Sequence, residues 1–153
     1  MSVPVWKRTL SKCEYAYQTY LLTQRLTQIL CNIPKKYRDS YKDVIWKLSL
    51  EALELCIMSD SIYMRNNENL ESDYKTRREC QLKARGKIQS VSIMCEVLLE
   101  SIRHSGMPGI DSKKIFKREL EIGLMCKRCN DLIDGILKSD TERYRKYIKL
   151  NTA

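Results

Sequence analysis

Along 153 residues, apolar side chains recur at intervals of three and four, and only three segments interrupt the period. They are Pro34, the polar run Arg65-Asn66-Asn67-Glu68-Asn69, and His104-Ser105-Gly106-Met107-Pro108-Gly109. Such a pattern predicts long helices joined by short turns. An all-β sandwich is excluded, because 5 Gly and 3 Pro cannot supply its many reversals.

Four runs follow. The first places Leu10, Cys13, Tyr17 and Leu21, then Leu22, Leu26, Ile29 and Ile33, on one side, with Thr9 and Ser11 as possible caps. The second starts near Arg38 and carries Tyr41, Ile45, Leu48, Ala52, Leu55, Ser59 and Ile62. The third aligns Leu70, Tyr74, Leu82, Ile88, Val91, Cys95, Leu98 and Ile102, with Gly86 as a possible bend. The fourth opens at Asp111 or Ser112, either of which can cap it, and repeats Ile115, Ile122, Cys126, Cys129, Ile133 and Ile136 at nearly heptad steps. At about 1.5 Å per residue these runs are long rods, and their short connections demand antiparallel neighbours. The expected class is all-α, an up-down-up-down four-helix bundle over residues 1–138. From Ser139 the apolar period fades, so residues 139–153 are expected to form a basic tail or an extra helical piece.

The charge balance, 28 Lys and Arg against 19 Asp and Glu, leaves +9 and favours phosphate-bearing or acidic partners. With no run of 18 apolar residues, and no apolar stretch after Lys7 and Arg8, neither a membrane span nor a signal peptide is expected. A cytosolic location follows as an expectation. Seven cysteines, an odd number, are then expected as reduced thiols.

A search for catalytic chemistry returns little. The single histidine, His104, sits at a predicted helix end, where it suits capping better than base catalysis. Gly106 to Gly109 lacks the Lys-Ser/Thr of a phosphate loop and reads as a turn. Cys126 and Cys129 have a metal-like spacing, but no second Cys-x-x-Cys completes a zinc shell and both lie on the apolar seam. Glu51 with Glu54, and Glu119 with Glu121, lack the Glu-x-x-His of a diiron bundle. No cofactor is expected, and an enzyme with a thiol site is the weakest of three readings.

Basic clusters remain: Lys35, Lys36 and Arg38; Arg77 and Arg78 with Arg85 and Lys87; Lys113, Lys114, Lys117 and Arg118; and, in the tail, Arg143, Arg145 and Lys146 around Tyr144. Acidic residues dilute each cluster, so a solvated face accounts for any one alone. Their recurrence over several helices and turns fits a diffuse positive field that meets a sugar-phosphate backbone without reading bases. In the tail, Tyr144 and Tyr147 add rings that can stack on bases or dock on the bundle.

One segment goes further. Tyr20-Leu21-Leu22 leading to Ile33-Pro34-Lys35-Lys36-Tyr37, then Trp46-Lys47-Leu48-Ser49-Leu50-Glu51-Ala52-Leu53-Glu54-Leu55, resembles the accessory variability determinant (Avd) proteins of diversity-generating retroelements. The likeness covers about the first 65 residues. It implies a four-helix bundle assembling into a barrel-shaped homopentamer. It also implies an accessory role without catalysis, in which the protein binds the retroelement reverse transcriptase and its template RNA, with cDNA as a further partner, to support mutagenic cDNA synthesis. The four-helix-bundle proteins encoded in ribosomal RNA intervening sequences are a near neighbour, and would imply the fold alone. A structural helical adaptor without a nucleic-acid role is the alternative.

Overall fold

The computed structural model describes residues 13–153. Four helices account for nearly all of them: α1 (Glu14–Cys31), α2 (Lys35–Ser61), α3 (Leu70–Arg103) and α4 (Ser112–Thr152), with no strand among the described residues. They pack in a closed ring in which α1 and α3 each contact both α2 and α4. Leu10, Thr9 and Ser11 lie outside the described residues.

Pro34 acts as the hinge the sequence predicts. Its fixed φ, here −55°, ends the first helix and opens the second at Lys35, earlier than Arg38, because Tyr37 and Arg38 donate their amides to the Pro34 carbonyl. The third connection turns on Gly106 and Gly109, whose φ values of +68° and +80° favour glycine. Asp111 then caps α4, accepting from the amides of Lys113 and Lys114 at 3.1 and 3.2 Å. His104 lies at the end of α3 as expected, its Nε2 3.0 Å from a Glu100 carboxylate oxygen. Gly86 does not interrupt α3.

The core follows the helical period with some changes of residue. On α1 the buried line runs through Tyr15, Thr19, Leu22, Leu26 and Ile29, leaving Tyr17 and Leu21 half-buried. Threonine serves there because its hydroxyl is already bonded: Thr19 donates to the Tyr15 carbonyl at 2.8 Å and Thr23 to Thr19 at 2.9 Å. On α2 the inward line is Ile45, Ser49, Ala52, Cys56 and Ser59, mostly small side chains that let neighbouring helices approach closely. Leu48 and Leu55 fall to its flank. On α3, Gln81 occupies the core and Leu82 is exposed, against expectation, for Gln81 donates to a buried carboxylate and a leucine there would remove one of its hydrogen bonds. On α4, the seam from Ile115 to Ile133 is buried as the heptad spacing predicts, and it continues through Leu137 and Asp140.

Residues 139–152 are the last turns of α4, with no break at Ser139 and no separate fifth element. Asp140 explains the continuity. Its carboxylate accepts from Arg77 Nε at 2.5 Å and from Gln81 Nε2 at 3.0 Å, while Arg77 Nη1 donates to the carbonyls of Ser59 and Ile62 at 2.9 and 3.2 Å. One buried ion pair thus ties α4 to α3 and caps the open carbonyls at the end of α2. Ser59 also shares a 2.7 Å hydrogen bond with the Tyr15 hydroxyl, which brings in α1. Farther along, the rings of Tyr74 and Tyr144 stack with centroids 4.2 Å apart.

The α3–α4 seam holds a second polar group. Burial, with the Glu100 carboxylate facing it, pushes the Glu119 carboxyl up to about 7, while Arg103 pulls it down and Glu96 adds to the rise. The folded protein therefore holds a proton there that the unfolded chain releases near 4.5. The sign follows: this stability is fully present below pH 4.5 and is lost as the pH rises through about 7. Unfolding midpoints should fall between pH 5 and pH 8, and Glu119→Gln should flatten that slope; an unchanged slope in the variant would place the titration elsewhere.

Candidate nucleic-acid interface

The fold sorts the basic residues into those used internally and those left facing water. Arg77 is not a surface cation: its side chain is 12% exposed and occupied by Asp140. Its neighbour Arg78 is half-buried and donates to Thr141 Oγ1 at 3.2 Å. Arg85 bridges to Asp134 at 2.7 Å and Lys87 to Glu51 at 2.7 Å, crosslinking α3 to α4 and to α2. Such partly exposed pairs contribute modestly, and their positive charge is already matched. The cluster read along α3 is therefore largely structural.

The turns behave differently. Asn32, Ile33 and Pro34 line one cavity of about 490 Å³ together with Gly109, Ile110, Asp111, Lys114 and Arg118. The segment opening α2 and the segment opening α4 are thus brought side by side. Lys35, Lys36, Lys113, Lys114 and Lys117 are exposed, and Arg38 and Arg118 half-buried. None of the seven forms an ion pair among the described residues. Lys36 instead lies over the Tyr37 ring, 5.9 Å from its centroid. Of the seven, Lys114 and Arg118 line that cavity and Lys35 follows directly on Pro34, so clusters 75 residues apart, counting from Arg38 to Lys113, meet at the same pair of turns as a basic rim.

The basic residues late in α4 are not part of that rim. From Lys113 to Arg143 the helix rises about 45 Å. Arg143, Arg145 and Lys146 are exposed and without ion pairs among the described residues, but Tyr144 is committed to Tyr74 and is not free to stack on a base. Nearby, Asn151 Nδ2 donates to Asn66 Oδ1 at 2.8 Å, holding the end of α4 against the α2–α3 connection.

Six of the seven cysteines are buried, and Cys31 alone is exposed. Burial pushes Cys126 up to about 12 and Cys129 to about 11, far from a thiolate at neutral pH. No cluster of metal-binding side chains occurs among the described residues. Replacing Cys126 and Cys129 by Ala should therefore cost about 1–3 kcal/mol of stability by denaturant unfolding, with no change in metal content. Stoichiometric zinc that disappears in the double variant would contradict this.

No helix of the described residues is long and apolar enough to cross a membrane. Set against family models, curated proteins and solved structures, the chain matches none of them.

Proposed function

We propose that this protein is a non-enzymatic RNA- and protein-binding module of the Avd kind, an up-down-up-down bundle that assembles as a homopentamer. In this reading it serves a reverse transcriptase and its template RNA. The observation that supports it best is the cavity between the α1–α2 and α3–α4 turns, lined by Lys114 and Arg118, with five further cations close by in sequence that form no ion pair among the described residues. A cluster of this kind meets phosphates by charge and leaves base identity unread. Specificity then comes from the transcriptase, so that protein, enzyme and template form a complex that no pair forms as well.

Affinity for a structured RNA, measured by filter binding or anisotropy, should fall steeply with salt and vary little with sequence. If six or more phosphates are met, the loss between 50 and 200 mM salt is about a thousandfold or more. A salt-independent affinity, or no binding at low salt, would remove the nucleic-acid reading and leave a structural adaptor. Mass measurement in solution tests the assembly separately: a monomer at micromolar concentration would end the barrel arrangement without touching the RNA claim.

A further inference from the structure

The outer side of α2 carries a surface of opposite character to the basic rim. Trp46, Leu50, Leu53 and Ile57 recur at steps of four, three and four, so they form one stripe along the helix. Three of them are well exposed, Trp46 at 41%, Leu50 at 37% and Ile57 at 45%. The stripe exists because the inward line of α2 is taken by small residues, which displaces its larger apolar side chains outward. Trp46 is held in place, its indole N–H donating to Thr27 Oγ1 of α1 at 3.2 Å. Beside it lies a depression of about 430 Å³ lined by Asp43, Trp46, Lys47, Leu50, Glu51 and Glu54.

The charge here runs against the whole. From Asp43 to Asp60, four carboxylates stand against one lysine, in a chain of net charge +9. Glu51 is matched by Lys87 and, more distantly, by Lys47. Asp43, Glu54 and Asp60 form no ion pair among the described residues. Asp43, three residues before Trp46, and Glu54, four after Leu50, border the stripe, with Lys42 four before Trp46 as a cation beside them, whereas Asp60 lines a different cavity with Cys13, Tyr15 and Arg77. An exposed apolar stripe edged by unmatched acids is complementary to one class of partner and repels nucleic acid.

The geometry points to α2 as the docking surface for an amphipathic helix of a partner protein, apolar on one face and basic along its borders. Eleven residues separate Trp46 from Ile57, about 16 Å of helix, so roughly three turns of the partner engage it, with apolar anchors at i, i+3/i+4 and i+7. This surface is separate from the basic rim and does not depend on RNA binding.

The full chain with Trp6→Phe leaves Trp46 as the sole indole reporter. A 14-residue helical peptide of Leu and Lys, and its Leu and Glu counterpart, are titrated at physiological salt. The Leu/Lys peptide should shift Trp46 emission to the blue and saturate, although the protein as a whole is strongly cationic. The Leu/Glu peptide should do nothing. Asp43→Lys with Glu54→Lys, and separately Leu50→Glu, should each weaken Leu/Lys binding at least tenfold, with helicity by circular dichroism unchanged. Ile57→Glu serves in place of Leu50→Glu should that variant lose helicity. Equal response to both peptides, no response to Leu/Lys, or undiminished binding by the charge variant would overturn the proposal. So would a fall in solution mass on Leu50→Glu, which would make a second copy of this chain the occupant.

Discussion

Replacing Asp140 with Ala should destabilise the protein by about 3–5 kcal/mol, read as a lower denaturant midpoint. Asp140 is 3% exposed, and its loss strands the Arg77 guanidinium and the Gln81 amide in a protein interior. The Gln81 carbonyl oxygen already has no partner, so losing Asp140 leaves both polar atoms of that buried amide unsatisfied. Asp140→Asn should cost less, since it keeps an acceptor for both donors. Replacing Arg77, Gln81 and Asp140 together by Met, Leu and Leu should restore much of the loss, because removing a buried pair whole is far cheaper than removing half of it. A cost below about 1 kcal/mol for Asp140→Ala would mean that water reaches the pair, as in exposed ion pairs.

The same network decides what a truncation can mean. Removing residues 139–153 deletes Asp140 as well as Arg143, Arg145 and Lys146, so weaker RNA binding by the shortened chain would mix lost charge with a loosened bundle. Point reversals at Arg143, Arg145 and Lys146, which are exposed and unpaired among the described residues, separate the two. Hydrogen exchange supplies the structural readout, since Asp140→Ala should speed exchange in the last turns of α4 more than in α1.

That continuation of α4 was the element least legible in the sequence, and for a physical reason. The buried line after Ile133 steps by four to Leu137 and by three to Asp140, then by four and three to the half-buried Tyr144 and Tyr147. The helical period never stops; only the hydrophobicity does. An aspartate at a core position looks like a helix end until its arginine is known, and Arg77 lies 63 residues away. Thr19 and Thr23 of α1 are hidden in the same manner, since a hydroxyl bonded to its own helix packs as an apolar group. By contrast, the seam of α4 from Ile115 to Ile133, the Pro34 hinge and the Asp111 cap rest on local rules and could be read directly. The candidate interface divides along the same line. Each basic cluster was visible as letters, whereas the pairing of Arg85 and Lys87, the burial of Arg77 and the meeting of the two turn clusters depend on contacts far apart in the chain.

Charge reversal at the turns should have the largest functional effect. Changing Lys35, Lys36 and Arg38 to Glu, and separately Lys113, Lys114, Lys117 and Arg118, removes attraction and adds repulsion at each position. RNA affinity in low salt should drop by several kcal/mol, roughly 1 kcal/mol or more per reversed contact, and the salt slope should shrink with it. Lys113 and Lys114 donate only backbone amides to Asp111, so α4 keeps its cap in the variant. Helicity and solution mass should stay as they are, because none of the seven side chains forms an ion pair within the described residues. The two sets also test each other. If the turns act as one rim around the shared cavity, the combined variant should lose less than the sum of the separate losses, since each set alone already pushes the same RNA segment away. Simple additivity would indicate two independent phosphate contacts. Variants that stay folded and bind RNA as tightly as the parent, and that still support cDNA synthesis by the cognate transcriptase, would show that the rim is solvated surface and that the working face lies elsewhere on the bundle.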